Sequence, residues 1–316
     1  MSSLNVVFMG SPAPVLPTLE AVHRVCRSNG WSLVAAYAAP DRPSGRGRRG
    51  TPSPVSIRAA ELGIPVLTPG RVTSEEEIGR FRELRPDLVV LAAYGFLLPA
   101  PFLFEPGHGA VNVHPSLLPR HRGAAPIAGA IVAGDDMTGT TLIVMDEGLD
   151  TGAILAQETV RLHGDERAPE LTNRLFEIGA RMLEDTLPQY IRGRIEAIPQ
   201  RVDGGTLIKR MTKADGVINW EEPAHLIERK VRAFDPWPGV ATTWHGQRLA
   251  LRATEGAPSK SGLLPGLVCV TQGDVVVGTG AGSLRLLRVQ IEGRPSAEIG
   301  EFLRGHAAFT GAKLPS

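Results

Sequence analysis

The stretch Leu4-Asn-Val-Val-Phe-Met9 is a short apolar run, followed by the turn Gly10-Ser-Pro12 and by apolar residues at helical spacing over 15–25. An apolar run of this length that ends in Gly and Pro is typical of a buried strand, because both of its faces are covered. The same order of strand and helix recurs as far as residue 194. This alternation predicts an α/β fold, a doubly wound and mostly parallel sheet with helices on both faces.

The predicted elements of this first part are six strands and five helices. The strands are expected at residues 4–9, 32–38, 87–93, 109–114, 139–145 and 154–162. The helices are expected at residues 15–25, 55–62 (with Ser53 as N-cap), from 74 onward, 124–133 and 169–192.

A different pattern follows Arg194. Residues 196–212 have no clear period and contain Gly204-Gly205, which is typical of a linker. After a helix predicted at 222–234, short runs separated by turn residues predict a small β-barrel, with an OB-like form as one candidate. Its strands are expected at 240–244, 247–253, 265–271, 274–278 and 283–290. We therefore expect domains at 1–195 and 213–316, joined by a linker at 196–212.

Length and composition agree with two globular domains. The chain has 316 residues, is 42% hydrophobic and carries a net charge of +1, which disfavours a protein that coats nucleic acid. The two cysteines form no CxxC pair, which argues against a structural zinc site and suits a reducing cytoplasm. No signal peptide is expected, because Asn5 interrupts the first apolar run. The longest apolar stretch, 88–104, is broken by two prolines and is shorter than the roughly 20 residues of a membrane helix.

One loop is strongly basic. Its four arginines fall within eight residues: Arg42, Arg46, Arg48 and Arg49. Gly45 to Gly50 matches G-x-G-x-x-G, but prolines flank it on both sides and the strand–turn–helix context of a dinucleotide fingerprint is missing. Taken alone, such a run is most often a solvated surface feature.

The chemistry-bearing stretch is Gly109-Ala-Val-Asn-Val-His114, followed by a second segment that contains Asp150. Asn112 and His114 are two residues apart, so on a strand they point to the same side. They lie at the strand's carboxyl end, where open α/β sheets bind their ligands. An amide N–H and an imidazole can stabilise an oxyanion, and a nearby acid can hold the imidazole or take a proton. From spacing alone, a turn cap and a surface acid remain an equally good interpretation.

These segments resemble the formyltransferase family that uses 10-formyltetrahydrofolate and, within it, the enzymes that act on methionyl-tRNA. The resemblance covers nearly the whole chain and is carried by residues 8–12, 40–49, 51–54, 119–127, 213–220 and 231–238. It implies a Rossmann-like formyltransferase domain followed by an OB-like tRNA-binding domain. It also implies transfer of a formyl group from 10-formyltetrahydrofolate to the α-amine of methionyl initiator tRNA, for translation initiation in the cytoplasm. No metal, membrane or obligate protein partner is implied.

The resemblance also assigns roles to residues. Asn112, His114 and Asp150 form the implied catalytic set: Asn112 and His114 donate to the oxyanion, while Asp150 orients the imidazole and raises its pKa. The four arginines, Arg46 above all, are implied to contact the tRNA, and residues 196–316, with 15 basic and 12 acidic residues, would add a positive face. The implied folate contacts are Tyr94, Gly95, Phe96, Leu97, Leu98, Ser116, Leu117, Leu118 and Pro119.

Three positions depart from the family pattern. His121 stands where an aromatic Trp or Tyr is usual, Gly50 where an apolar residue is common, and Ser56 where Lys is frequent. We expect the first to alter packing behind the catalytic strand and the others to weaken the grip of the loop on RNA.

Other functions remain possible on the same residues. A glycinamide ribonucleotide formyltransferase shares the catalytic set, but residues 200–316 would then lack a purpose. A formyltetrahydrofolate hydrolase has no need for the arginine loop. An RNA-binding module without activity is disfavoured, because the catalytic set and the segment Ser116-Leu-Leu-Pro119 are both intact.

Overall fold

The computed structural model describes residues 3–44, 49–257, 263–271 and 273–316. The chain divides into two compact units. The first comprises Met1–Pro126, Met137–Arg161 and Thr172–Ile208, and the second comprises Ile127–Asp136, Leu162–Leu171 and Lys209–Ser316.

The first unit is built on a seven-stranded sheet with the order β10-β9-β7-β6-β1-β2-β5. β9 runs antiparallel to both β7 and β10, and the other neighbouring pairs are parallel, which confirms the predicted mostly parallel sheet. The described strands of this unit are β1 (Asn5–Gly10), β2 (Ser32–Tyr37), β3 (Arg42–Ser44), β4 (Arg49–Thr51), β5 (Val66–Leu67), β6 (Leu88–Ala92), β7 (Ala110–His114), β8 (Arg122–Gly123), β9 (Met137–Val144), β10 (Ala153–Arg161) and β11 (Leu207–Ile208).

Two small pairings accompany this sheet. β3 pairs with β4 as an antiparallel hairpin, and β8 pairs with β11 in parallel. Neither pairing was predicted, and β5 was missed as well, because strands of two or three residues are too short to show a period.

The structure describes six α-helices before residue 208, two of which begin at a side-chain cap. They are α1 (Leu16–Asn29), α2 (Pro54–Glu61), α3 (Glu75–Glu83), α4 (Ala100–Phe104), α5 (Pro126–Ala133) and α6 (Ala168–Ile191). Ser53 caps α2, as predicted, by accepting a hydrogen bond from the Ser56 amide at 3.1 Å. Ser74 caps α3 through the Glu77 amide at 3.3 Å.

Helix α6 lies directly on the strand that carries the polar pair. A Cβ atom at Gly179 would come within 2.4 Å of Val113 Cγ1, so only glycine allows this approach. The Thr140 hydroxyl on β9 donates to the Leu175 carbonyl of α6 at 2.8 Å. Helix α6 therefore packs against one face of β7 and β9.

An aromatic core supports the sheet next to β6. Phe81 of α3 and Phe102 of α4 stack with ring centroids 3.9 Å apart, and Tyr37 meets Phe102 edge-on at 6.0 Å. Tyr94, just after β6, belongs to the same buried cluster. The loop that follows β6 is thus anchored in the core through Tyr94.

The second unit contains a six-stranded antiparallel sheet with the order β12-β13-β16-β15-β14, in which β17 pairs with β16. Its described elements are α7 (Ala224–Ala233), β12 (Val240–Trp244), β13 (Gln247–Ala257), β14 (Val268–Thr271), β15 (Asp274–Gly278), β16 (Ser283–Ile291), β17 (Ala297–Glu298) and α8 (Ile299–Gly305). Trp244, Phe302 and Phe309 pack edge to face in its core. The predicted small barrel-like domain is confirmed, while β17 and α8 were not predicted.

Within the described ranges, no helix combines the length and the apolar character that crossing a bilayer requires.

Candidate active site

Strand β7 sets the two polar side chains at one end of the sheet. Asn112 lies opposite Leu91 of β6 and Ile143 of β9, and His114 lies opposite Thr141. Their side-chain period places both on the same face of the strand. Asn112 is 7% exposed and His114 is 4% exposed, so both are held in an environment of low dielectric.

Asp150 reaches this pair from the loop between β9 and β10. Its Oδ1 atom accepts a hydrogen bond from Asn112 Nδ2 at 3.3 Å and lies 3.5 Å from His114 Nδ1. Its Oδ2 atom accepts a hydrogen bond from the Gly123 amide at 2.8 Å. The structure therefore brings together the three side chains that the sequence singled out, with the carboxylate at the centre.

The two ring nitrogens of His114 face different groups. Its Nε2 atom lies 3.0 Å from the His121 carbonyl oxygen. Because a carbonyl can only accept, Nε2 carries the proton, and Nδ1 of the neutral ring faces the carboxylate of Asp150.

Burial lowers the pKa of His114, and this outweighs the raising effect of the Asp150 carboxylate and of the hydrogen bond to His121. The expectation that Asp150 raises the pKa of His114 is confirmed for this one interaction, although the net shift is downward. Desolvation is the larger effect, and it favours the neutral ring.

Asn112 retains one unused donor. One of the two Nδ2 hydrogens points to Asp150, and the other has no hydrogen-bond partner within the ranges that the structure describes. This amide is the donor that the arrangement leaves for a developing negative charge.

The turn after β7 is tightly bonded. Ser116 is fully buried, and its hydroxyl donates to the Arg120 carbonyl at 2.7 Å. The Thr141 hydroxyl donates to the Ser116 carbonyl at 2.6 Å, and Gln157 donates to the Leu118 carbonyl at 3.0 Å. Leu117 and Pro119 are half-buried, and Leu118 is buried. Of this predicted folate segment, Ser116 is engaged in holding the turn.

The loop after β6 presents the other predicted folate residues very unevenly. Tyr94 is buried in the core, with its ring 5.2 Å from that of Phe96. Phe96 and Leu98 are half-buried and Gly95 is exposed. Leu97 is 82% exposed.

The arginine loop is described only in part. Arg42 lies in β3 opposite Thr51, and Arg49 lies in β4 opposite Ser44. Arg46 and Arg48 lie outside the described residues. β3 and β4 thus pair as an antiparallel hairpin, one on each side of the arginine-rich segment.

The three departures from the family pattern have distinct settings. His121 is buried, with a positive φ of 56°, and its carbonyl is the group that holds His114. Ser56 is buried at the start of α2, where its hydroxyl lies 2.9 Å from that of Ser53. At Gly50 an added Cβ would lie 2.9 Å from that of Asp41.

The largest feature missed from the sequence is the contribution of residues 198–208. The Thr206 hydroxyl accepts a hydrogen bond from the His121 amide at 2.7 Å, and the Arg122 amide donates to the Thr206 carbonyl at 2.8 Å. Gly123 has a φ of 100°, and a Cβ there would lie 2.4 Å from the Ile208 carbonyl oxygen. Residues assigned to a linker therefore brace the segment that contacts His114 and Asp150.

Metal-binding side chains do not gather in the parts of the chain that the structure describes: no group of three or more His, Cys, Asp or Glu residues is placed to hold an ion.

Known proteins identify the family. Residues 4–187 match the formyl transferase family, and residues 210–307 match the formyl transferase C-terminal domain. A methionyl-tRNA formyltransferase of Chloroflexus aggregans is 41% identical over 96% of this chain and 97% of its own length. One from Geobacter metallireducens is 38% identical over 99% of both chains.

Solved structures share the fold at low identity. An N-formyltransferase from Helicobacter canadensis, in complex with folinic acid and dTDP-3-aminofucose, has a TM-score of 0.64 at 15% identity, covering 90% of this chain and 98% of that one. HypX from Aquifex aeolicus in complex with tetrahydrofolic acid has a TM-score of 0.58 at 18% identity, covering 96% of this chain and 48% of that one. The fold is thus shared with proteins that differ widely in sequence, whereas the relatives near 40% identity are alike over nearly their full length. The chain belongs to the methionyl-tRNA formyltransferase family.

Proposed function

We propose that the chain transfers the formyl group of 10-formyltetrahydrofolate to the α-amine of methionine carried by initiator tRNA, in translation initiation. The observation that carries this proposal is the meeting of Asn112 and His114 at the Asp150 carboxylate, within 3.5 Å, in a chain of this family. The 10-formyl folate is the proposed donor because an N-formyl group on a weakly basic aromatic amine is a reactive acyl donor.

The reaction begins with the neutral amine. Its nitrogen attacks the formyl carbon, and the electron pair of the C=O bond moves to oxygen, giving a tetrahedral oxyanion. The unused N–H of Asn112 is the group that we assign to stabilise this charge. A preorganised donor in a buried site is worth about 10²- to 10³-fold in rate.

The amine must also lose a proton. The side chain of Asp150 is 11% exposed, against 4% for His114, so we assign its Oδ1 atom as the first acceptor. The neutral ring of His114 presents Nδ1 3.5 Å from that oxygen, and the proton can be shared between them. Collapse of the intermediate then breaks the bond to N10, which takes up a proton as tetrahydrofolate leaves.

The predicted ligand contacts fit this scheme as proposals. Leu97 offers an exposed apolar side chain to the folate, with Gly95, Phe96, Leu98 and Tyr94 shaping that wall. The opposite wall is assigned to Ser116, Leu117, Leu118 and Pro119, with Ser116 acting through the turn that it holds. Arg42, Arg46, Arg48 and Arg49 are assigned to tRNA phosphates or exposed nucleotides, for which arginine is well suited.

The domain roles are proposed on the same basis. Residues 1–195 would carry the formyl transfer and residues 213–316 the tRNA-binding domain, with 196–212 between them. A substrate that is an aminoacylated tRNA supports the predicted cytoplasmic location. The scheme requires neither a metal nor an obligate protein partner.

The decisive experiment compares acceptors. Purified protein with 10-formyltetrahydrofolate should formylate methionyl initiator tRNA and leave glycinamide ribonucleotide unchanged, and Asn112→Ala should lower kcat about 10²- to 10³-fold without unfolding the protein. Preference for glycinamide ribonucleotide, or release of formate without any acceptor, would refute the proposed function in favour of the corresponding alternative. A folded Asn112→Ala variant with normal kcat would remove Asn112 from the mechanism.

A further inference from the structure

Gln200 uses its whole hydrogen-bonding capacity beside the candidate active site. Its Nε2 atom donates to the carbonyl oxygens of Asp150 and Gly152, each at 2.8 Å. Its Oε1 atom accepts from Nε and Nη2 of Arg122 at 3.2 and 2.7 Å. An amide has two donors and one oxygen with two lone pairs, so all four positions are filled.

These four bonds join the two segments that hold the Asp150 carboxylate. One segment is the loop containing Asp150 itself, and the other is β8, where Arg122 is followed by Gly123, the residue whose amide binds Asp150 Oδ2. The Gln200 side chain therefore fixes the distance between the carboxylate and its backbone donor.

The backbone at Asp150 needs such support. Asp150 has a φ of 54°, in the left-handed region that non-glycine residues seldom adopt. This conformation turns the carboxylate towards Asn112 and His114, and it persists only where neighbouring groups hold it. Gln200 binds the carbonyl of that same residue.

We propose that Gln200 is a positioning residue that keeps Asp150 in its reactive geometry by donating to the Asp150 and Gly152 carbonyls. The proposal rests on the proposed function, because it assigns Gln200 a role in the same formyl transfer. Gln200 acts through Asp150 and contacts neither substrate.

Two substitutions separate positioning from simple packing. Gln200→Met keeps the length of the side chain and removes all four bonds. Gln200→Glu keeps the pairing with Arg122 but sets a carboxylate oxygen against two carbonyl oxygens. Displacements of about 1 Å at a reactive group can cost about 10²-fold in rate, so both variants should lose about 10- to 100-fold in kcat with the KM for 10-formyltetrahydrofolate unchanged.

The chain offers a matched control. Gln290 accepts from Nε and Nη2 of Arg252 and donates to the Arg294 carbonyl, which is the same chemistry in the second unit. Gln290→Met should therefore leave kcat within twofold of wild type. Thermal unfolding of each variant checks that it is folded at the assay temperature.

A double-mutant cycle with Asp150→Asn gives the critical readout, because coupled residues fail additivity. If Gln200 acts through Asp150, Gln200→Met should cost less than about threefold further in the Asp150→Asn background. Equal losses in both backgrounds, normal kcat in folded Gln200→Met, or wild-type activity of Gln200→Glu would each overturn the proposal. Normal kcat of Asp150→Asn alone would remove Asp150 from the mechanism and overturn this inference, whereas failure of the wild-type protein to formylate methionyl-tRNA would overturn the proposed function itself.

Discussion

Replacing Asp150 by Asn tests the centre of the candidate site while keeping its shape. The carboxylate Oδ1 lies 3.5 Å from His114 Nδ1, and two unit charges at this distance interact by about 4 to 5 kcal/mol at an effective dielectric constant near 20. Asparagine removes this stabilisation of a proton that arrives on the ring. Since each 1.4 kcal/mol is about tenfold in rate, kcat should fall by about 10³-fold.

The substitution should leave folding largely intact. The amide oxygen of an asparagine can still accept from the Gly123 amide, which now binds Oδ2 at 2.8 Å. Its NH₂ group would then face Nδ1 of the neutral His114 ring and donate to it, while the hydrogen bond from Asn112 Nδ2 is lost. The free energy of unfolding measured in urea should therefore change by less than about 2 kcal/mol.

The assay is single-turnover formylation of methionyl-tRNA with both substrates saturating. The matched control is Asp87→Asn at the opposite end of the sheet, where Asp87 Oδ2 accepts from the Asn5 amide at 2.7 Å. It removes a half-buried carboxylate with the same kind of backbone bond and should keep wild-type kcat. A folded Asp150→Asn protein within threefold of the wild-type rate would show that the carboxylate takes no part in proton transfer.

Three further outcomes are expected. Arg46→Ala should raise the KM for methionyl-tRNA and weaken the salt dependence of tRNA binding, with folate affinity unchanged. Arg46→Lys should recover only part of the loss, because it keeps the charge but not the planar guanidinium. Equal tRNA kinetics of Arg46→Ala and wild type across a salt titration would contradict this prediction. A fragment of residues 1–208 should fold and bind folate but lose most affinity for tRNA. Shortening it to 1–205 should lower its free energy of unfolding by about 2 to 4 kcal/mol, because residues 206–208 make hydrogen bonds to β8 and its flanking residues. Identical urea midpoints for the two fragments would contradict a stabilising role of residues 206–208. Because burial lowers the pKa of His114, the unfolded chain binds an extra proton below about pH 6.5. The free energy of unfolding should therefore fall as the pH drops from about 7 towards 5, by at most about 1.4 kcal/mol per pH unit from this group. Urea unfolding of His114→Gln should show a smaller fall, and the same pH dependence as wild type would disprove the lowered pKa.

The sequence predicted six of the seven strands of the main sheet and the shared face of Asn112 and His114. These inferences depend on periods and on chain direction, which a sequence displays directly. For Asp150, spacing alone left a surface acid equally possible, and the resemblance to the family favoured its place beside Asn112 and His114. The catalytic assignments of these residues and the domain limits stay predictions.

What the sequence did not show has physical causes. The protonation of His114 depends on the balance between burial, which lowers its pKa, and the Asp150 carboxylate, which raises it. The order of residues in a sequence does not reveal which effect is larger. The contribution of Gln200 and Thr206 depends on two-residue strands and on single side-chain bonds, which leave no period. A glycine pair at 204–205 looked like a linker because local composition does not reveal a distant partner strand.

The pairing of β8 with β11 has a consequence for anyone recombining proteins of this family. Residues 198–208 fall between the two stretches that match the formyl transferase family, 4–187 and 210–307, and a recombination junction would naturally be drawn within that gap. A chimera that takes residues 198–208 from a different parent than residues 121–152 mixes two sets of hydrogen-bonding partners around a single carboxylate. Crossovers placed after Ile208 keep those partners from one parent, so the boundary between exchangeable modules lies at the end of β11 rather than at the end of α6.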